Sequence, residues 1–260
     1  MSLAKLKAAL RDVALGGLRY FPSTGSTNDE ALAWAASGAP DFSLVVADMQ
    51  KRGRGRDGHK WVTPSGTSLA FSLVLRPSVA ERELVGRFSG LGALALVAAL
   101  KRRGITAQVK WPNDVLIGRK KVAGVLVEVV WMGAEVDSLV LGIGVNVAGG
   151  SLPADVTLNF PATYVDAEAG VQVARYDLLK DTLVELQSLR ATLTGSKFLG
   201  LWQRELAFMG EKVHLWQGQE QPFEAVLLGL ELDGSLRVRL GSGEVRSIHF
   251  GEVHLRPGSS

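Results

Sequence analysis

Apolar positions in this chain fall into two kinds of run: short stretches that are filled or alternating, and longer ones with gaps of three and four. The first kind marks strands and the second marks helix faces. Strand-like runs lie at 43–47 and 68–75, then at 107–111 with 115–117, at 122–131 and at 138–147. The later ones read as a meander, with Gly118-Arg119 as a tight turn. Helical spacing holds over 81–103, where Lys101-Arg102-Arg103-Gly104 closes the run as a helix C-terminus does. It returns at Tyr176, Leu179, Leu183, Leu186 and Leu193, and again at Phe198, Leu201, Trp202 and Leu206. Ser26-Thr27-Asn28-Asp29-Glu30 offers two capping boxes, Ser26 with Asp29 or Thr27 with Glu30. A short helix should follow, ending near Ser37-Gly38.

From about Gly210 the pattern changes. Short strand-like runs at 213–216, 223–228, 235–240 and 245–250 are separated by Gly-Gln, Asp-Gly and Gly-Ser-Gly turns. That spacing suggests a small β-barrel and places a domain boundary near 209. No internal repeat is present.

Composition narrows the function. The 260 residues are 47% hydrophobic and 21% charged, ordinary for a globular protein with a sizeable core. A net charge of +3 does not by itself imply nucleic acid; what matters is that the basic residues cluster, at 51–56, 101–103 and 119–121. With no cysteine, disulfides, thiolate metal sites and cysteine nucleophiles are excluded. Residues 1–18 alternate Lys and Arg with Leu and Ala, which is no secretory signal. The apolar stretch 84–100 carries Arg87 and several glycines and reads as a buried helix. The expected location is cytoplasmic, with no membrane contact.

The richest candidate chemistry is Gly53-Arg54-Gly55-Arg56-Asp57-Gly58-His59-Lys60-Trp61, between two strands. Its glycines let backbone amides approach a ligand closely, and its arginines pair with carboxylates or phosphates. Trp61 adds a flat ring. The spacing also fits Gly-x-Gly-x-x-Gly, but Pro64 and Gly66 follow too soon for the helix a dinucleotide fingerprint needs. A mobile cationic loop beside an aromatic plate suits a site for an acid and a nucleotide. The plainer reading is a solvated basic turn.

Two further groups stand with it. Lys110-Trp111-Pro112-Asn113-Asp114 is a polar turn braced by proline, which fixes its own φ and extends Trp111. Lys121 opens an apolar strand beside Ala123 and Gly124, whose small size leaves room for a ligand against the backbone. In Gly142-Ile143-Gly144-Val145-Asn146-Val147, the Asn146 amide needs partners, which either the local backbone or a ligand could supply.

Taken in order, Ser26-Thr27-Asn28, Gln50 with Gly53-Arg54-Gly55-Arg56 and Trp61, Lys110 to Asp114, Lys121 with Ala123-Gly124, and Gly144 with Asn146 resemble the biotin protein ligases, also called biotin–[acetyl-CoA-carboxylase] ligases. The likeness covers about residues 20–150, and the β tail at 210–257 resembles that family's SH3-like C-terminal domain. It implies an α+β fold, a mixed sheet with helices packed on one side over 1–209 and a small SH3-like barrel over 210–260. It implies ATP and Mg²⁺ as cofactors, biotin as substrate, a biotinyl-5′-AMP intermediate, and a lysine of a biotin carboxyl carrier protein as acceptor. By that analogy Ser26, Thr27, Asn28, Gln50, Gly53 and Gly124 face biotin. Arg54 and Arg56 lie near its carboxylate and the phosphate, with Lys121 opposite. Trp61 and Asn146 join Arg56 and Lys121 around ATP, and Asp114 serves the incoming amine or Mg²⁺. No protein-held metal is expected, and sheet-edge homodimers are compatible with the family.

The chain departs from the pattern at Arg52, where a small residue is common, and at His59, where many relatives have arginine. His214, His249 and His254 lack metal-ligand spacing and suit surface or barrel packing. Only 25 residues precede Ser26, too few for the winged helix-turn-helix of relatives that double as repressors, so operator DNA is not an expected partner. The rivals are a lipoate or octanoate ligase of the same superfamily and a non-enzymatic nucleic-acid binder. The Gly-Arg-Gly-Arg loop and the missing cysteine disfavour the first. The absence of a long basic stripe with interleaved aromatics disfavours the second.

Overall fold

The computed structural model describes residues 1–152, 160–217, 221–249 and 253–257. In chain order the first elements are α1 (Leu3–Ala9), β1 (Gly17–Phe21), α2 (Thr27–Ala36), β2 (Ser43–Ala47), β3 (Ser68–Leu75), α3 (Val79–Arg82) and α4 (Arg87–Lys101). The meander follows as β4 (Gln108–Lys110), β5 (Asp114–Ile117), β6 (Lys120–Met132) and β7 (Glu135–Asn146). Then come α5 (Val165–Ala169), α6 (Arg175–Arg190) and α7 (Ser196–Arg204). The chain closes with β8 (Lys212–Gln217), β9 (Phe223–Leu230), β10 (Leu236–Leu240), β11 (Val245–Ile248) and β12 (Val253–Pro257).

Seven strands form one sheet in the order β1-β2-β3-β7-β6-β5-β4, mixed because β1 runs parallel to β2 while the other pairs are antiparallel. Gly118 and Arg119 both take positive φ, the geometry of the expected two-residue hairpin turn. Strand alternation divides the sheet into two faces. Leu44, Val46, Leu69, Phe71, Leu73, Leu139 and Leu141 point into the main core with α1, α4, α6 and α7. Val45, Val74 and Val140 point the other way, under Ala31 and Ala35 of α2. The larger helices thus pack on one side, as the fold class requires, and the short α2 covers part of the second face. No helix among the described residues is long and apolar enough to cross a membrane.

The second sheet is antiparallel, in the order β11-β10-β9-β8-β12, and is the small SH3-like unit. Its inward residues Val213, Leu215, Leu227, Leu236 and Val238 join the same apolar cluster as the large sheet. Polar ties reinforce the contact. The buried Arg87 guanidinium donates to Leu193 O and to Leu232 O in the β9–β10 turn. The indole Nε1 of Trp111 donates to Gly234 O of that turn at 3.0 Å.

The structure differs from the sequence expectations in four places. The helix expected over 81–103 is two, because Ser78 and Glu81 close a capping box that starts α3 early and Gly86 caps a fresh helix, α4. Neither capping box at α2 forms: Ser26 is the N-cap without a side-chain bond, and Thr24 Oγ1 engages Glu30 instead. β1 escapes the apolar pattern because it is a half-buried edge strand. β12 is masked in sequence by His254, Arg256 and Pro257. The end of the 245–250 run at Phe250 and the side chain of His254 lie outside the described residues.

Asp48, at the end of β2, ties this edge of the sheet to α6. Burial works against its charge, but the Met1 ammonium, Ser65 and Arg175, whose Nη1 is 2.8 Å away, lower its pKa to about 2. A carboxylate whose folded pKa lies below its unfolded value adds stability above the unfolded pKa and loses it as pH falls through the folded one. Asp48→Asn should therefore cost about 2 kcal/mol at pH 7 and almost nothing at pH 2. Urea unfolding of both proteins across that range checks it; an equal loss at both pH values contradicts the assignment.

Candidate active site

The uncovered part of the α2 face is where side chains become small. Gly142 and Gly144 of β7 point to this face, Gly124 of β6 pairs with Gly144, and Ser72 of β3 pairs with Gly142. Without side chains there, flat polar groups can lie on the backbone. The Asn28 amide lies on Gly142, where a Cβ would fall 2.0 Å from Oδ1. The Trp61 indole lies on Gly144, where a Cβ would fall 2.4 Å from Nε1, and its six-membered ring also reaches Gly124. This Nε1 is buried with no hydrogen-bond partner.

The basic segment is a paired hairpin. Trp61 N donates to Gly53 O, Arg54 bridges Lys60, Gly55 N donates to His59 O, and Gly58 turns the tip at φ +73°. Its base is fixed by Gln50. The Gln50 Oε1 accepts from Thr27 N (2.8 Å) and Thr27 Oγ1 (3.1 Å), and its Nε2 donates to Thr63 Oγ1 (3.0 Å). A side chain from the loop thus caps the first turn of α2, in place of the capping box. Gly53 is buried against the Trp61 carbonyl, 2.4 Å from where a Cβ would stand, so a larger residue would push the two hairpin arms apart.

Charges are matched around this hairpin. Arg54 Nη2 meets Asp29 Oδ1 (2.7 Å) and Glu128 Oε2 (2.9 Å), and Glu128 Oε2 also accepts from Asn28 Nδ2 (2.6 Å). Arg56 Nη1 reaches Asn113 Oδ1 at 3.5 Å, while Asn113 is pinned to Val125 of β6 through its side-chain amide and its backbone carbonyl. Lys121 Nζ lies 5.6 Å from the Trp61 ring centroid and 2.6 Å from Asp114 Oδ1. Lys110 Nζ takes Asp114 Oδ2 at 3.3 Å. Burial opposes the charge of Asp114, but Lys121 first and Lys110 second outweigh it and hold its pKa below the usual carboxylate range. Asn146 donates to Thr163 O (3.2 Å).

A cleft of about 990 Å³ opens beside the hairpin, lined by Gln50, Gly53, Arg54, Arg56 and Trp61 among the sequence-derived candidates, with Val125 to Val129 of β6 along its wall. Lys121, Asp114 and Asn146 are not among the residues lining this cleft; Lys121 pairs with Asp114, and Thr163 joins Lys121 to Asn146. Gly124 lies beneath the Trp61 ring, so the room expected beside it is filled by indole. Thr27 and Asn28 are buried behind the hairpin, with Ser72 Oγ 2.7 Å from Thr27 Oγ1 and 2.6 Å from Asn28 Oδ1. Ser26 is buried at the start of α2. Glu128, Asp29 and Ser72 belong to the network around Arg54 and Asn28 and were not among the candidate site residues. A charged residue interrupting an apolar strand two positions along from Leu126 was the available signal for Glu128.

The family model described as the biotin/lipoate A/B protein ligase family matches residues 20–146. The biotin–[acetyl-CoA-carboxylase] ligase of Paracoccus denitrificans is 35% identical over 230 residues, 85% of this chain and 93% of its own. The bifunctional ligase/repressor BirA of Bacillus subtilis (strain 168) is 28% identical over 260 residues, 98% of this chain and 79% of its own. Among solved structures, the biotin protein ligase from Aquifex aeolicus in complex with biotin and ATP is similar with a TM-score of 0.80 at 29% identity, covering 93% of this chain and 99% of that one.

The contact between Trp61 and Gly144 has a direct consequence. Gly144→Ala must lift the indole, since a Cβ there would stand 2.4 Å from Nε1 and real Cβ contacts essentially never fall under 3.0 Å. Acrylamide quenching of the Trp61 fluorescence, isolated by subtracting the matching Trp61→Phe protein, should rise in the Gly144→Ala background. Unchanged quenching would mean that the ring does not rest there.

Proposed function

Because the chain belongs to the biotin/lipoate A/B protein ligase family, we propose that it works as a biotin–[acetyl-CoA-carboxylase] ligase in two steps at this site. In the first, a biotin carboxylate oxygen attacks the α-phosphorus of ATP and pyrophosphate leaves, giving biotinyl-5′-AMP. In the second, a lysine amine of a biotin carboxyl carrier protein attacks the acyl carbon, AMP leaves, and the amine loses a proton as the amide forms. The observation that carries this reading is the grouping of cations around Trp61. Arg54 and Arg56 line the cleft together with it, and Lys121 Nζ lies 5.6 Å from its ring centroid.

Two anions must be brought together in the first step, and fixed cations offset their repulsion while holding them in line. Arg54 and Arg56 would take the biotin carboxylate and the α-phosphate, with Lys121 on the opposite side. Thr27, Gln50 and the backbone at Gly53 would hold the ureido end, Trp61 would stack on adenine, and Asn146 would read the base or ribose. The hairpin of 53–61 would cover the mixed anhydride and exclude water. Asp114 stays anionic between its two lysines and would meet the incoming amine by exchanging one of them.

Magnesium is expected to arrive bound to the phosphates of ATP. Among the described residues no three His, Asp or Glu side chains cluster to hold an ion, and both oxygens of Asp114 are engaged by lysines. The catalytic unit is assigned to 1–209 and the SH3-like unit to 210–260.

Pyrophosphate exchange into ATP should depend on biotin and fail with lipoate or octanoate. Exchange with lipoate alone would move the protein to the neighbouring branch of the family, and no exchange with any acid would end the ligase reading. Arg56→Ala and Lys121→Ala should each lower the exchange rate by about 100-fold or more, the scale of a lost transition-state contact, with the melting temperature little changed. Trp61→Ala should raise KM for ATP more than KM for biotin; the reverse order would contradict its place on the nucleotide.

A further inference from the structure

Glu128 is a charged side chain on the cleft wall to which the family resemblance assigns no part. It lies on β6 four residues beyond Gly124. One of its oxygens, Oε2, accepts from two elements that are far apart in sequence: Asn28 Nδ2 at the start of α2 (2.6 Å) and Arg54 Nη2 on the hairpin (2.9 Å). Asn28 is itself locked, since its Oδ1 takes Ser72 Oγ (2.6 Å) and its amide is pressed onto Gly142. Glu128 therefore joins a rigid point of the sheet to the one hairpin arginine that approaches α2.

The geometry of Arg54 shows what this contact does. Both of its ion pairs, to Asp29 and to Glu128, use the same nitrogen, Nη2. A guanidinium has five N–H donors. Holding one corner leaves Nε and Nη1 for an anion in the cleft and fixes the plane in which they lie. The two carboxylates are not equivalent. Asp29 is half exposed, at 50%, where an ion pair contributes little, whereas Glu128 is 26% exposed and braced by Asn28.

We propose that Glu128 is a positioning residue for acid activation, holding Arg54 and with it the hairpin in the closed, anion-binding arrangement before substrate arrives. This rests on the reading of Arg54 as a contact to the biotin carboxylate and the adenylate. Glu128 touches neither; it acts through Arg54. Neutralising it should loosen the grip on ligand and leave the chemical step nearly intact.

The test compares the full-length wild type with Glu128→Gln, Asp29→Asn, Arg54→Ala and the Arg54→Ala/Glu128→Gln pair. Two quantities are read: KM and kcat for biotin in ATP–pyrophosphate exchange, and the rate at which preformed biotinyl-5′-AMP leaves the protein. Glu128→Gln should raise KM for biotin and speed adenylate loss by about tenfold each, with kcat within about threefold, as for a charge-assisted bond weakened to a neutral one. Asp29→Asn should change both by no more than about twofold. In the Arg54→Ala background, Glu128→Gln should add nothing.

Wild-type KM and retention in Glu128→Gln would overturn the proposal. So would a lowered KM, which would mean that Glu128 competes with substrate for Arg54. Equal extra losses with and without Arg54 would make Glu128 structural only, and this comparison decides the matter even if the substitution lowers the melting temperature. Each of these leaves the ligase reading standing; a wild type with no biotin-dependent exchange sinks that reading and this one together.

Discussion

The site depends on the absence of side chains at two positions of one strand. β7 is buried along most of its length, and a buried central strand ordinarily offers no surface for a ligand. At Gly142 and Gly144 the face turned toward α2 loses its side chains. A flat amide and a flat indole then lie in direct contact with the backbone. Everything placed around the site takes its height above the sheet from these two contacts. Asn28 on Gly142 sets where α2 begins, and Trp61 on Gly144 sets where the hairpin ends. A methyl group at either glycine would push one of the two walls off the sheet, since it would stand 2.0 Å from the Asn28 amide or 2.4 Å from the indole.

Electrostatics then distributes the cations. Arg54 is matched by two carboxylates, Asp114 by two lysines, and Asp48, outside the site, by Arg175 and the chain's own ammonium. Asp114 is the instructive case. It is buried, which by itself would favour the neutral acid, yet two ammonium groups in contact keep it charged. A lysine held this way keeps its place beside the indole. The arrangement therefore fixes charge and position with the same contacts.

Much of this was legible in the sequence, because the strands and long helices are specified by local periodicity. The meander, the turn at Gly118-Arg119, α6, α7 and most strands of the small sheet follow from it. What escaped is what depends on partners distant in sequence. β1 is ordered by lying beside β2, and α2 is capped by Gln50 rather than by its own Ser26 or Thr27. The motif at Ser26-Thr27-Asn28 was read, through the family resemblance, as facing biotin. The fold adds that the Asn28 amide meets Ser72 and Glu128, contacts that no spacing rule reveals. Glu128 and Asp29 were visible as charges, but only the fold brings both to one nitrogen of Arg54.

The Trp111–Gly234 bond joins residues 123 positions apart, and the Arg87–Leu232 bond spans 145. On the ribosome, the polar turn of 110–114 emerges long before the carbonyl that its indole will meet. Contacts of such separation close late, since the intervening chain must first be ordered. The turn that carries Asp114 therefore gains this tie only after the β9–β10 turn has been made and docked, so the small sheet takes part in setting a segment far before it in the chain.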